Sequence, residues 1–325
     1  MFDVITIGSA TVDVFVKTAY KGTEFHEYHQ HQDVCYPIGQ KVLIEDLHID
    51  TGGGGTNTAV AFSRLGLKTG WLGKLGTDTN SSQILEVIKK EKVAFLGNRG
   101  KGMTGYSVIL VGLRENRTIL TFKGINDQLS TSDVPWSRLK TKWLYCSAML
   151  GQSFKTLEKI CLFAKQHHIK YAFNPSMYLA AQGMQKLKKI IQDCDVLVLN
   201  KEEANALLGT QQKSMEFLLK KLQEHAKIAV VTDGPNGAHA YNGIKKYAIA
   251  PRRVRVVETT GAGDAFAAGF VAGLALHDDI AKAMQLGLAE SESVIQHIGA
   301  KNKLLKRNEA KSLLKKMPAV KITKL

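Results

Sequence analysis

The chain has 325 residues, 44% of them hydrophobic, enough to bury a sizeable core in one large α/β domain with an insertion or in two smaller domains. Its 44 basic and 29 acidic residues leave a net charge of +15, which suits a polyanionic small molecule, a nucleic acid or an anionic lipid as partner. The longest apolar stretch, Ala265–Leu276, is too short and too rich in glycine to span a bilayer; MFDVITIGSATVD has no basic leader; and the four cysteines (Cys35, Cys146, Cys161, Cys194) form no CxxC pair, so a reduced cytoplasmic protein is expected rather than a membrane protein, a secreted disulfide scaffold or a zinc ribbon.

In chain order, FDVITIG reads as a short apolar strand, TNTAVAFSRLG as a helix with Thr56 and Asn57 near its start, TGWLGKLG as a strand into a turn, and NSSQILEVIKKEK as a helix capped by Asn80 or Ser81. KWLYCSAM, IKYAFNP, DVLVLN and KIAVVTDG follow as strands, interleaved with the helices FKTLEKICLFAKQHH, KEEANALLG and MEFLLKKLQEHA. This alternation predicts a mostly parallel sheet covered by helices on both faces. Two stretches break the rhythm. Val12–Thr51 has extended and turn character, and Gly105–Gly124 reads as two strands around a polar turn at Arg114–Arg117. Together they predict a small sheet beside the main one, placed to act as a lid. In the basic tail, Leu304, Leu305, Leu313 and Leu314 keep rough helical spacing, predicting an amphipathic helix with a solvated lysine face.

The run ETTGAGD, Glu258–Asp264, precedes a long stretch of small apolar residues. Gly261 and Gly263 let the backbone turn tightly and approach a ligand, and the helix that follows offers free N–H groups to a phosphate. Asp264, in the first helical turn, is placed to take a proton from a hydroxyl attacking that phosphate; its other reading is a plain helix cap. The glycines Gly52–Gly55 lead into a second helix, where Asn57 can donate and accept hydrogen bonds to hydroxyls. Asp13 is read at the end of the first strand, off the carboxyl edge of the sheet, where a carboxylate can hold two hydroxyls of a polyol. Asn200 and Glu203 sit at a strand-to-helix junction and suit either Mg²⁺ held through waters or a capping box. Thr232–Gly237 closes a strand in a glycine-rich turn, either a nucleotide contact or only a turn.

Taken together, these motifs resemble those of the PfkB, or ribokinase-like, family of carbohydrate kinases along nearly the whole chain. The match rests on Gly52-Gly53-Gly54-Gly55-Thr56-Asn57, on Asn200 and Glu203, and on Glu258-Thr259-Thr260-Gly261-Ala262-Gly263-Asp264. The resemblance implies a ribokinase-like α/β fold with a small β-sheet lid at about residues 12–51 and 105–124, in a single kinase domain. It implies ATP and Mg²⁺ as cofactors and transfer of the γ-phosphate to a hydroxyl of a sugar or sugar-like substrate. Asp264 would be the base, and the backbone of Gly261, Ala262 and Gly263 the anion hole. Asp13, Gly53, Gly54 and Asn57 would contact substrate. Asn200, Thr232, Gly234 and Gly237 would contact nucleotide, Glu203 would hold Mg²⁺ through water, and the Gly299-Ala300 turn would lie toward adenine. A homodimer through the lid is also implied.

Three departures stand out. Ribokinases have Lys at the position of Gly54, which counts against ribose. Glu258 replaces an Asp linked in some members to a monovalent cation. Gly76-Thr77-Asp78 replaces a glycine-aspartate-aspartate run. The alternatives are a nucleoside kinase and a sugar-binding protein without turnover.

Other patterns fail their structural conditions. Gly100–Gly105 fits G-x-G-x-x-G but opens a strand instead of following one into a helix, and no Walker A sequence is present. His29, His31, Asp33 and Cys35 alternate and would share one strand face as a metal site or as an exposed polar face. No aromatic-basic interleaving accompanies the positive charge, so nucleic acid is not the expected partner.

Overall fold

The computed structural model describes residues 1–18, 24–28, 31–36, 38–111 and 117–324. The first part of the chain forms β1 (Phe2–Ile7), β2 (Thr11–Thr18), β3 (Glu24–Tyr28), β4 (His31–Cys35), β5 (Ile44–Gly52), α1 (Gly54–Arg64), β6 (Thr69–Leu72) and β7 (Lys74–Leu75). Next come α2 (Thr79–Lys90), β8 (Ala94–Phe95), β9 (Asn98–Arg99), β10 (Gly105–Val111), β11 (Arg117–Phe122), β12 (Thr141–Ser147), α3 (Gly151–Gln166), β13 (Lys170–Asn174), α4 (Ser176–Ala180) and α5 (Met184–Ile191). The rest is β14 (Val196–Asn200), α6 (Lys201–Leu208), α7 (Met215–Gln223), β15 (Ile228–Thr232), β16 (Ala238–Tyr241), β17 (Lys245–Ile249), α8 (Ala262–His277), α9 (Ile280–Val294), α10 (Arg307–Leu314) and β18 (Lys321–Lys324).

The main sheet has ten strands in the order β18-β17-β16-β15-β14-β13-β12-β1-β6-β8. From β15 to β8 neighbours run parallel, and β16, β17 and β18 add an antiparallel edge. Buried on both faces, its central strands are continuous apolar runs. Alternate residues feed two cores: Tyr145 and Val198 pack with Phe266 and Phe270 of α8, while Leu144, Cys146 and Leu199 pack with Leu157 of α3 and Leu218 of α7. The small-residue run after Asp264 is explained by this packing. α8 is buried for most of its length against α9, and a Cβ on Gly269 would lie 2.7 Å from the Leu286 carbonyl oxygen. The helices thus approach backbone to backbone.

A second sheet of four strands, β11-β10-β2-β5, stands beside the first, as the two interrupting segments predict. The turn between β10 and β11, residues 112–116, lies outside the described residues. Register separates its two faces. Asp13, Asp50 and Ser107 share one face, and Val14, Ile49, Val108 and Leu120 share the other.

The structure corrects three local expectations. Asp13 lies within β2 of the small sheet, not at the end of the first strand; Gly8-Ser9-Ala10 ends β1 and the chain crosses to the second sheet. The α2 cap is Asp78, whose carboxylate accepts from Ser81 N (3.0 Å), Thr104 N (2.7 Å) and Thr104 Oγ1 (2.6 Å), tying α2 to the residue before β10. In the tail, α10 begins only at Arg307, Lys301 is buried instead of solvated, and residues 321–324 form the edge strand β18. No described helix is long and apolar enough to cross a membrane.

Candidate active site

The carboxyl end of β1 meets the start of α1, where Thr6 Oγ1 donates to the Gly55 carbonyl (2.8 Å) and Gly55 N donates to the Ser9 carbonyl (3.0 Å). Gly52 makes room for Asp13, since a Cβ on residue 52 would lie 1.8 Å from Asp13 Oδ2. The other glycine run opens α8. Gly261 has a φ of 81°, and a Cβ there would lie 2.4 Å from Ala300 Cβ, so this turn rests on the 299–301 segment. The two helix starts are joined directly by a hydrogen bond from Asn57 Nδ2 to Asp264 Oδ2 at 2.8 Å. The Asp264 carboxylate is therefore held by Asn57 across the site, and no side-chain capping bond closes the start of α8.

Around this bond lies a cavity of about 290 Å³ that brings together Asp13, Gly53, Gly54, Asn57, Gly261 and Asp264. Its ceiling is one face of the small sheet: Thr11 and Asp13 of β2, Ser107 and Ile109 of β10, Ile119 and Thr121 of β11. Ser147 and Asn174 line it from the ends of β12 and β13, Ser176 and Tyr178 from α4, and Lys123 from the segment after β11. Several buried polar atoms have no partner within the protein, among them Asp13 Oδ1, Asn57 Oδ1, Ser147 Oγ and Ser176 Oγ. A buried polar atom without a partner is unfavourable until something fills the role, and here four of them belong to residues lining one cavity.

Burial raises the pKa of Asp264; the Asn57 hydrogen bond and the charge of Lys301 oppose the rise, and the Asp13 charge adds to it. Asp13 is also raised by burial, against hydrogen bonds from Thr11 and Ser107 and the charge of Lys301. Lys301 was not singled out from the sequence. It is 4% exposed, and its Nζ donates to the Thr51 carbonyl at 2.7 Å. Burial brings its pKa down to about 8, although Asp50, Asp13 and Asp264 all favour its charged form. The only sequence signal was its place directly after Gly299-Ala300.

Asn200, Thr232, Gly234 and Gly237 lie at the ends of the neighbouring strands β14 and β15 and do not line this cavity, nor do Ala262, Gly263 and Glu203. Asn200 and Glu203 form a reciprocal capping box: Glu203 N donates to Asn200 Oδ1 (2.7 Å) and Asn200 N to Glu203 Oε2 (2.9 Å). The pKa of Glu203 is raised by burial and, further, by the charge of Asp264, which places the two carboxylates in one electrostatic neighbourhood. Tyr145, fully buried and with an unpartnered hydroxyl, feels both.

Arg117, also missed in the sequence, reaches from β11 to the turn before α8; it donates to Thr259 Oγ1 and sits 3.4 Å from Glu258 Oε1. Of the alternating His/Asp/Cys set, His29 and the side chains of His31 and Asp33 lie outside the described residues; among the described residues no group of three potential metal ligands occurs.

Comparison with known proteins agrees with this geometry. Residues 28–307 match the profile described as pfkB family carbohydrate kinase. The ribokinase of Lactococcus lactis subsp. lactis is 30% identical over 286 residues, covering 86% of this chain and 90% of its own. A probable sugar kinase from Rhizobium etli superposes with a TM-score of 0.82 at 23% identity, covering 96% of this chain and 98% of its own. The adenosine kinase of Sinorhizobium meliloti gives 0.82 at 21% identity, covering 96% and 99%. The chain therefore belongs to the pfkB family of carbohydrate kinases, ATP-dependent phosphotransferases that act on hydroxyl groups.

Proposed function

We propose that the chain transfers the γ-phosphate of ATP to a hydroxyl of a sugar or sugar-like substrate, with Asp264 as the general base. The observation that carries this reading is the Asn57–Asp264 hydrogen bond, which joins both glycine-rich helix starts at the wall of a cavity that also holds Asp13. The substrate's hydroxyls take up Asp13 Oδ1 and Asn57 Oδ1, and Gly53 and Gly54 let the sugar lie against the backbone. Asp264 accepts the proton of the attacking hydroxyl, and its raised pKa makes it a stronger base than a solvated carboxylate. The amides of Gly261 and Gly263 steady charge on the transferring phosphoryl group; that of Ala262, expected to join them, donates to the Thr259 carbonyl instead (3.2 Å). Asn200, Thr232, Gly234 and Gly237 receive the nucleotide along the ends of β14 and β15.

The residues present fit Mg²⁺. Glu203 would supply a hard oxygen ligand, and a cation held near it would ease its repulsion from Asp264. When bound, Mg²⁺ neutralises phosphate charge; Glu203, kept in place by Asn200, orients its waters. The small sheet closes over the sugar and excludes water. Its outward face carries Leu47, Ile49, Leu120 and Phe122, each about half exposed, and a second copy of the chain covering this face makes the homodimer through the lid. Sedimentation of Leu120→Glu against wild type tests that dimer.

The kinase reading is tested by coupled ADP release with Mg-ATP over pentoses, hexoses, keto-deoxy acids, sugar phosphates and nucleosides. Turnover of one class supports it. A folded protein that binds no ATP overturns it. A nucleoside kinase is the second reading, favoured by the apolar wall of Ile109 and Ile119, and the same panel decides between the two.

A further inference from the structure

The kinase reading leaves the substrate class open, and one wall of the cavity narrows it. Lys123 follows β11 directly, two residues on from Thr121, and lines the cavity with it. Its ammonium lies 4.4 Å from the centroid of the Tyr178 ring. The more buried lysines are held by oxygen: Lys74 by Asp133 (2.8 Å), Lys201 by Asp233 (3.0 Å), Lys301 by the Thr51 carbonyl (2.7 Å). Among the described residues Lys123 makes no such hydrogen bond or ion pair; it faces the Tyr178 ring, and its charge is felt by the half-buried Asp127 carboxyl.

Beside it, Ser176 holds a φ of 50°, unusual for a residue with a side chain, and its buried Oγ has no partner. Of the five non-glycine residues with positive φ among the described residues, Ser176 is the one that lines this cavity, and such strain persists only where the surrounding structure holds it. Asn174, at the end of β13, adds an amide to the same wall.

We propose that the substrate carries an anionic group, a carboxylate or a phosphate ester, and that Lys123, Ser176 and Asn174 form the subsite that receives it. An ammonium, a hydroxyl and an amide are together a donor set for an anion. The cavity also contains Asp13 and Asp264, which repel an anionic substrate, so a cation on another wall is needed to offset them and to set the substrate's direction. The Lys123 ammonium also occupies one face of the Tyr178 ring and so takes that face from any flat aromatic ligand. The inference rests on the kinase reading only for calling the ligand a substrate; the subsite itself is a statement about binding.

The test compares matched neutral and anionic polyols: aldoses, the corresponding aldonic and keto-deoxy acids, their phosphate esters, and nucleosides. Binding is measured by calorimetry, and turnover by ADP release, on wild type, Lys123→Met and Lys123→Arg. Expected is preferential binding of one anionic class, with affinity falling about 10- to 100-fold in Lys123→Met, largely kept in Lys123→Arg, and kcat changing less than KM. The carboxylate and phosphate arms identify the group. Binding of a neutral sugar or nucleoside that is indifferent to Lys123, with no anionic polyol bound by the folded wild type, overturns the inference and leaves the kinase reading standing. Lys123-dependent anion binding without ADP formation does the reverse.

Discussion

Glu290 offers a quantitative test of how the segment after Lys301 is held. It lies on α9, fully buried, with Oε2 accepting from Leu305 N at 3.2 Å and Oε1 without a partner. It thus anchors the segment that runs from Lys301 into the tail. Burial pushes its pKa from the ordinary 4.5 up to about 8; the Leu305 hydrogen bond and the Arg64 charge oppose that rise. Between those two values the unfolded chain has lost this proton and the folded protein has kept it. Stability therefore falls as pH rises from 4.5 to 8 and levels off above, the reverse of a paired carboxylate. At about 1.4 kcal/mol per pH unit, the contribution between pH 5 and pH 9 amounts to roughly 4 kcal/mol. Glu290→Gln keeps the shape and removes the titration. Urea unfolding of both proteins at pH 5 and pH 9 gives a double difference in which pH-independent effects of the amide cancel. The mutant should gain roughly 4 kcal/mol on wild type between the two pH values. A mutant–wild-type difference that is the same at both would refute the reasoning and show that Glu290 is ionised in the folded protein at neutral pH.

Three further outcomes follow from the site itself. Gly261→Ala must place a side chain at φ 81° and 2.4 Å from Ala300 Cβ, so the turn shifts; kcat should fall about 100-fold with a stability loss of about 1–3 kcal/mol, read by steady-state kinetics and denaturation. Lys301→Met removes the positive charge that helps keep Asp13 and Asp264 ionised, so the acid limb of the kcat/KM pH profile should move up by about one unit; an unmoved limb removes Lys301 from the electrostatics of the site. Arg117→Ala cuts the link between the small sheet and the turn before α8. Because that contact is partly exposed, stability should change by less than about 1 kcal/mol, while KM for the sugar rises several-fold; unchanged kinetics would deny the link a role in closure.

The strands of the main sheet were legible because both of their faces are buried: DVLVLN and KIAVVTDG are unbroken apolar runs ending in turn residues, and they form β14 and β15. α8 was legible for the same reason, as a helix apolar nearly all round. The edge strand β18 was not, since KITK is short, lysine-flanked and exposed, as edge strands tend to be. Asp13 was assigned to the wrong strand because β1 and β2 are separated only by Gly8-Ser9-Ala10, and no local pattern tells that the chain changes sheet there. The residues of the two glycine motifs could be named from sequence because each is a contiguous run opening a helix, and at Gly261 the backbone itself, at φ 81°, demands glycine. Lys301, Lys123, Arg117 and Ser176 could not. Each acquires its surroundings only from segments far away in the chain, and a lysine that will be buried under Thr51 looks, in a basic tail, like its solvated neighbours.

The central claim is that Asp264 is the base. Asp264→Asn tests it most directly, because asparagine fills the same volume and can still accept the Asn57 Nδ2 hydrogen bond through its carbonyl oxygen. On the best substrate of the panel, kcat should fall by about 10²–10⁴, with ATP affinity and melting temperature close to wild type. A variant that turns over within tenfold of wild type would contradict the account and move the proton acceptor elsewhere in the cavity.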